Sequence, residues 1–554
     1  MKEGFDSGMK KDVKTVSGNI VDVFNSEIYP GTLEIFNGKI LDIRRERRNY
    51  KTYIIPGFVD SHIHIESSML PPSEFARAAA VHGTVAVVSD PHEIANVLGI
   101  DGVKYMIEDA KGVPVKFSFS APSCVPATPF ETAGAVLDPS KVEELLKLKE
   151  IKYLGEVMDF QGVINGDPDV MTKIHSAVRY SKLIDGHAPG LRGKDLAAYA
   201  NAGISTNHEC VTYEEALEDI HVGMKVQIRE GSTAGNFDAL VPLLENYADS
   251  CMFCSDDKHP DDLRRGHINE MVKRSLDRGF DIVKVLRVAS VNPVLHYGLD
   301  VGLLRTGDDA DFLEVDSLKN LNIINTYIKG EVVARRGNSL IDRIAPKILN
   351  NFQVGVKKVE DFTLPCGGGR INVIGAMDGQ LTTEKLTAKP KVKSGYVVSD
   401  IERDILKIAV VNRYKDVKPM IGFIRNFGLK KGAIASSVAH DSHNIIVVGV
   451  GDEDICGAVN LIIEEQGGIS AAGGDGKVIL PLPIAGIMSN KDYSAVAERY
   501  TVMVQMAKSM GSTLTAPFMT LSFMALPVIP RLKISDRGLF DSDQFRFISV
   551  FDVP

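Results

Sequence analysis

The chain has 554 residues, 44% of them apolar and 24% charged, with 63 basic against 72 acidic side chains and a net charge of −9. That length calls for more than one domain, and the mild acidity argues against a nucleic-acid binder. Six cysteines at this length argue against a disulfide framework and for a reducing cytoplasm, while no signal-peptide core or long uncharged apolar run marks export or a membrane span.

Residues 1–12 are charged and expected to be loose. Residues 18–47 read as short strands at 19–24, 32–36 and 39–43, with Asn37-Gly38 as a hairpin turn. They are the first part of a small β-sandwich, 1–55. From residue 54 the pattern becomes strand, loop, helix, repeated. The first strand is 54–65, and Ser73 is the expected cap of a helix running to Gly83. Strands follow at 85–89, 115–120, 151–157, 183–187, 204–208, 225–228 and 250–255. Their helices are expected near 101–110, 139–149, 169–182, 193–202, 212–221 and 236–246, with a longer helical region to about 297. Eight alternations over 56–300 match a (β/α)8 TIM-like barrel. Strands resume at 302–316 and 323–333 and are expected to complete the sandwich over 301–365, with the barrel inserted in it. Cys366-Gly-Gly-Gly369 is a linker, and 366–554 reads as an additional α+β domain. It carries strands at 405–411, 444–450 and 477–482 and an amphipathic helix over 492–508. The apolar stretch 514–530, broken by Pro517, Pro527 and Pro530, reads as buried core.

Polar residues gather at the C-terminal ends of the predicted barrel strands, where such barrels carry their active sites: His62, His64, His92, Glu156, His187, His208 and Asp256. Side chains alternate along a strand, so His62 and His64 share one side and can chelate one divalent metal. Taken alone, a His-x-His pair is as well read as a polar loop. Six ligand-competent residues on strands 1, 4, 5, 6 and 8 point to a binuclear site. The candidate ligands are His62 and His64 for one ion, His187 and His208 for the other, Glu156 as bridge and Asp256 as terminal ligand. Water activated by such a pair attacks an electron-poor sp² carbon, and Asp256 can take its proton. Glu93 and Glu66 are spare carboxylates, either proton donors or substrate contacts at the rim, or simply capping groups. Arg229 and His92 are candidate substrate contacts, with a rim ion pair as the plainer reading of Arg229. His440, Asp441 and His443 form an ionisable cluster: a further metal site, part of the active-site mouth, or a hydrogen-bonded turn. Cys251 and Cys254 have ligand spacing but no second pair, so they read as buried thiols. His82, His175, His221 and His296 fall on predicted helices and read as ordinary.

Pro56-Gly-Phe-Val-Asp-Ser-His-Ile-His64, opening the barrel, and Gly302…Gly307…Ala310-Asp311, closing it, resemble the amidohydrolase superfamily. His64-Ile-Glu-Ser-Ser68, Asp90-Pro-His-Glu-Ile-Ala-Asn96, Gly155-Glu-Val-Met-Asp159, Asp185-Gly-His-Ala-Pro189, Ser255-Asp-Asp257 and Ser437-Val-Ala-His-Asp-Ser-His-Asn444 are similar to the bacterial adenine deaminases within it, over nearly the whole chain. The resemblance implies hydrolysis of adenine to hypoxanthine and ammonia in purine salvage. It also implies two divalent ions, Mn2+ or Fe2+, bridged by Glu156 where many amidohydrolases use a carboxylated lysine. Lys152 shares the predicted strand face but lies four residues deeper. The Pro-Cys-x-x-Cys signature of the zinc cytidine deaminases is missing. Two other readings stay open: an amidohydrolase for another amino-heterocycle or cyclic amide, and a scaffold that has lost its chemistry. A homo-oligomer, dimer or larger, is expected from the amount of β-edge, with no nucleic-acid or membrane partner.

Overall fold

The computed structural model describes residues 13–474 and 476–552, so the segment 1–12 lies outside the described residues. Strands β1 (Lys14–Asp22), β2 (Glu27–Phe36) and β3 (Lys39–Arg45) form a meander, and β4 (Tyr53–Pro56) pairs in parallel with β1. Asn37 and Gly38 both take positive φ, 48° and 76°, which is the twist a two-residue hairpin turn needs. The predicted first barrel strand is two strands. Gly57 separates them, at a point where the Val85 side chain packs so close that a Cβ would stand 2.5 Å from it. β4 therefore ends in the outer sheet, and β5 (Phe58–Ile63) starts an inner one.

Eight parallel strands make the inner layer: β5, β6 (Thr84–Ser89), β7 (Lys116–Ala121), β8 (Ile151–Val157), β9 (Leu183–Gly186), β10 (Thr206–Asn207), β11 (Lys225–Arg229) and β12 (Cys251–Cys254). β5 to β9 pair in order, and so do β10 to β12. Where the two arcs meet, Ser205 N–H donates to the Ile184 carbonyl at 2.9 Å. On the other side, Asp256 N–H donates to the His62 carbonyl at 2.9 Å and His64 N–H to the Asp256 carbonyl at 3.1 Å. This is a mixed α/β, TIM-like arrangement. The helices between the strands start where capping chemistry allows. Asp138 caps Pro139–Leu146, Asp167 caps Pro168–Arg179, and Thr212 with Glu215 forms a capping box on Tyr213–His221. Two expectations need correcting. The helix after β5 is Pro72–Ala80, entered through Pro71; Ser73 lies inside it and caps nothing. The region 236–246 is several short turns of helix, Phe237–Leu240, Val241–Leu243 and Leu244–Tyr247, because Pro242 interrupts it.

After the inner strands, β13 (Phe312–Val315), β14 (Ile323–Ile328), β15 (Glu331–Arg335) and β16 (Asn338–Ser339) return to the first sheet. Together they form one eight-stranded sheet, ordered β16-β15-β14-β13-β4-β1-β2-β3. One face buries Ile20, Leu33, Ile54 and Phe312 in its own core, and the other packs Val21, Ile55, Leu313 and Ile328 against the inner layer. Strand pairing in this part ends at Ser339, short of 365. Beyond it, Val354 and Phe362 already pack in the core of the C-terminal region. That region is built on a nine-stranded sheet among the described residues, with Ile405–Val411 and Ile445–Gly449 fully buried. Helix Asp452–Glu464 covers one face. The other face shares a continuous core with the inner layer, joining Ile63, Met69 and Val97 to Ile408, Ile446, Phe518 and Met524. The apolar 514–530 stretch holds helix Pro517–Phe523, buried at every residue, and no helix among the described residues is long and apolar enough to cross a membrane.

Candidate metal centre and active site

The C-terminal ends of β5, β8, β9, β10, β11 and β12 converge on one cavity. The alternation of β5 carries His62 and His64 to the same side, with their rings 4.9 Å apart. His62 also stacks on His208 at 4.2 Å between ring centres. Glu156 sits among four imidazoles. His187 Nδ1 is 2.9 Å and His208 Nε2 3.3 Å from Oε2, while His64 Nε2 is 3.2 Å and His92 Nδ1 3.4 Å from Oε1. Asp256 completes the cage, with Oδ1 3.2 Å from His64 Nε2 and 3.5 Å from His62 Nε2. The six residues expected as ligands are thus brought together, and His92 joins them. Lys152 does not: it is exposed, because the pairing of β8 shifts register along its length and breaks the expected alternation.

The donor set suits divalent cations. His62, His64 and Glu156, then His62, His208 and Asp256, then Glu156, His187 and His208, each place ligand atoms within 4.8 Å of one another. Donors around one ion at about 2.1 Å stand about 3–3.5 Å apart, the spacing seen here. Both ring nitrogens of His62, and Nδ1 of His208, are buried and meet no hydrogen-bond partner; a buried polar atom left so is costly unless it has another role. Electrostatics agree. Burial would raise Glu156 and Asp256, but His187 beside the one and Arg229 beside the other hold both well below the usual carboxylate range. Burial would lower His208, yet Glu156 and Glu209 lift it to about 10. The cage attracts positive charge, and protons and metal ions compete for the same nitrogens.

The remaining expected residues separate. Arg229 lines the cavity, and its guanidinium is committed to protein: Nη1 donates to Asp256 Oδ2 at 2.7 Å and to Glu209. Glu66 is buried outside the cavity lining; it accepts the Ile94 N–H at 3.1 Å, and burial raises it to about 7. Glu93 opens helix His92–Leu98 and faces the cavity. Its two oxygens meet His440 Nδ1 and His443 Nε2 from the C-terminal region. His443 Nδ1 accepts the Ala439 N–H at 3.2 Å, which leaves Nε2–H to donate. Burial accordingly keeps His443 neutral, below its ordinary value, while Glu93, Asp257 and Asp441 outweigh burial at His440 and lift it to about 9. The His440 cluster is thus part of the mouth.

Sequence reasoning passed over several residues. Glu209 directly follows His208 just beyond the end of β10, and that adjacency was the available signal. Asp257 lines the cavity and receives the Ser67 hydroxyl. Asp90 is a brace, with Oδ2 accepting the Glu156 N–H at 2.9 Å and Oδ1 the Ser120 hydroxyl at 2.7 Å. Asp60 ties β5 to β12, accepting the N–H groups of His62 at 3.2 Å and Ser255 at 3.1 Å and holding His267 Nε2 at 2.8 Å. Opposite the polar wall stand Leu381, Phe523, Leu526 and Ile529, an apolar roof supplied by the C-terminal region.

Residues 53–333 match the amidohydrolase family, and residues 380–546 match the adenine deaminase C-terminal domain. The adenine deaminase of Salinibacter ruber is 52% identical over 539 residues, covering 97% of this chain and 99% of that protein. The adenine deaminase of Sulfurovum sp. is 56% identical over 535 residues, covering 96% and 99%. That of Methanosarcina barkeri is 50% identical over 549 residues, covering 97% and 100%. With both parts of the site matched over nearly its full length, this chain belongs to the adenine deaminase family of amidohydrolases.

Proposed function

We propose that this chain hydrolyses adenine to hypoxanthine and ammonia. The observation that carries the reading is the cavity itself. One wall is a cage of five histidines around Glu156 and Asp256. The other is an apolar roof from the region matched to the adenine deaminase C-terminal domain. The chemistry of such walls suits a flat, electron-poor heterocycle, its ring towards the roof and its reacting carbon towards the cage.

In this reading His62 and His64 would hold one divalent ion and His187 and His208 a second, with the carboxylates of Glu156 and Asp256 completing the donor set. Two such ions, Mn2+ or Fe2+, would supply Lewis-acid activation of water. Asp256 holds its Oδ1 towards the cage and receives the proton of the attacking water, while Arg229 fixes its other oxygen at 2.7 Å. The proton for the ring nitrogen comes from the Glu93–His440 pair as the new C–O bond forms: His440 carries it, and the Glu93 carboxylate, held ionised between His440 and His443, passes it on. Asp256 then returns its proton to the exocyclic nitrogen, the C–N bond breaks and ammonia leaves, and the proton of the new hydroxyl goes back to the Glu93–His440 pair. His92 and Arg229 line the path of the ring, and Glu66 steadies helix His92–Leu98 by accepting the Ile94 N–H. The roof keeps water other than the reacting one away from the reaction.

The proposal extends to architecture. The eight inner strands form a (β/α)8 barrel over 56–300, inserted in a β-sandwich made by the strands from Lys14 to Pro56 and from Phe312 to Ser339, with an α+β domain over its mouth. Bonds at both seams of the inner layer, and the Ile40 N–H to Asp308 carbonyl bond that folds the outer sheet towards itself, support this. Sparse, unpaired cysteines support a cytoplasmic enzyme, and a homo-oligomer is part of the same reading. The test is to supply purified protein with manganese, then adenine, and follow hypoxanthine by ultraviolet absorbance. Turnover that is lost on chelation and restored by metal is expected. Metal-loaded protein, manganese or anaerobic iron, that leaves adenine unchanged would refute the substrate.

A further inference from the structure

The roof comes from two separate stretches of chain. Leu381 lies in the loop before strand Thr383–Ala388, and Phe523, Leu526 and Ile529 lie at and beyond the end of helix Pro517–Phe523. Strand Leu532–Ser535 runs beside both. Its Ile534 N–H donates to the Met524 carbonyl at 3.0 Å, and Leu532 N–H to Thr383 Oγ1 at 3.1 Å. On this strand Lys533 is fully buried. Its Nζ donates to the Leu381 carbonyl at 2.6 Å and to the Phe523 carbonyl at 2.9 Å, one from each roof stretch. Charged neighbours on the surrounding strands are engaged elsewhere or exposed. Lys385 pairs with Asp541 at 2.7 Å, Lys407 with Asp452, and Arg370, Glu384 and Arg425 face solvent. In the roof loop, Asp378 is taken by Thr515. A buried ammonium without a counter-ion is costly, and methionine would fill the same space without that cost. What lysine alone adds is a donor that reaches both stretches at once.

We propose that Lys533 is a positioning residue that pins the two roof stretches to each other and so sets the height of the apolar roof above the ring-binding wall. This rests on the reading of the cavity as the adenine site. Burial, with no opposing charge, lowers Lys533 to about 7, so its bonds to the carbonyls carry full charge assistance only below that pH.

The test compares the manganese-loaded protein with its Lys533→Met and Lys533→Gln variants. Lys533→Met should raise KM for adenine about tenfold while changing kcat less than about threefold, since the ring is held less well and the cage is untouched. The ratio of variant to wild-type KM should shrink as pH rises past about 7, which a general packing defect would not produce. Lys533→Gln, a neutral donor one atom shorter, should recover part of the loss. Hydrogen exchange should quicken in 377–383 and 523–529 of the Lys533→Met variant and not in the outer sheet. An unchanged KM, a ratio independent of pH, or unchanged exchange in both stretches would overturn the proposal. If the wild type leaves adenine untouched while exchange quickens in both stretches, the substrate is wrong and the brace is supported.

Discussion

Exchanging Glu93 for Gln isolates the contact that joins the two parts of the active site. His440 is 2% exposed and is lifted from 6.5 to about 9. Burial works against that rise; Glu93 leads the carboxylates that cause it, ahead of Asp257 and Asp441. A group whose folded value is raised stabilises the fold fully below its unfolded value, and that stabilisation is lost as pH climbs through the folded value. The window here is therefore 6.5 to about 9. At about 1.4 kcal/mol per pH unit the whole linkage is worth about 3 kcal/mol, of which Glu93 should account for about 2. The amide also turns an N–H towards one of two imidazole donors, a mismatch of about 1 kcal/mol at any pH. Glu93→Gln should thus cost about 3 kcal/mol near pH 6 and about 1 kcal/mol near pH 9.5, read from urea unfolding of metal-free protein by circular dichroism. Carbon-13 shifts of labelled histidines should place the His440 midpoint lower in the variant than in the wild type. Equal losses at both pH values, or an unmoved His440 midpoint, would refute the argument.

His62→Ala and Asp256→Asn should each abolish turnover and lower the bound metal measured by elemental analysis, with far-ultraviolet dichroism unchanged. Gly155→Ala puts a Cβ 2.3 Å from Asp90 Oδ2, so it must displace the carboxylate that holds Glu156 N–H. A loss of about 1–3 kcal/mol and at least a tenfold fall in kcat are expected, checked by thermal unfolding and steady-state kinetics. Cys366 is exposed and the other five cysteines are buried, with burial pushing Cys251 up to about 12. An aromatic disulfide reagent should therefore label one thiol quickly in native protein and six after denaturation.

The polar wall was legible because chemistry-bearing residues at strand ends have few structural reasons to be there. His62, His64, Glu156, His187, His208 and Asp256 could be named from strand periodicity and chain order alone. The eight inner strands were legible for the same reason, down to Ile151–Val157 without a residue of error. Helix His92–Leu98 was missed because Asp90-Pro91 reads as a loop, although proline suits a helix entry. The roof was illegible. Phe523, Leu526 and Ile529 look like any other core residues, and only the fold tells which of their faces meets a cavity. Glu93 finds His440 and His443 across 347 and 350 residues, a distance over which no periodicity carries information. Nothing local marks the strand of Lys533 as one buried at every residue.

The C-terminal region therefore belongs to the candidate site in a specific physical sense. The cage concentrates carboxylates, and in water their fields would be screened. Closing the cavity with Leu381, Phe523, Leu526 and Ile529 removes that screening, so each charge on the polar wall acts more strongly on whatever lies between the walls. The same closure would leave Glu93 as an uncompensated buried charge, and the roof's own region supplies the two imidazoles that compensate it. Covering the site and neutralising the cost of covering it come from one segment. A roof that closed without His440 and His443 would strand a carboxylate, and the two histidines without the roof would meet it in water, where the pairing is worth little. The shared apolar core between the inner layer and the C-terminal sheet holds both at once, which is why neither half of the site can be understood from its own residues.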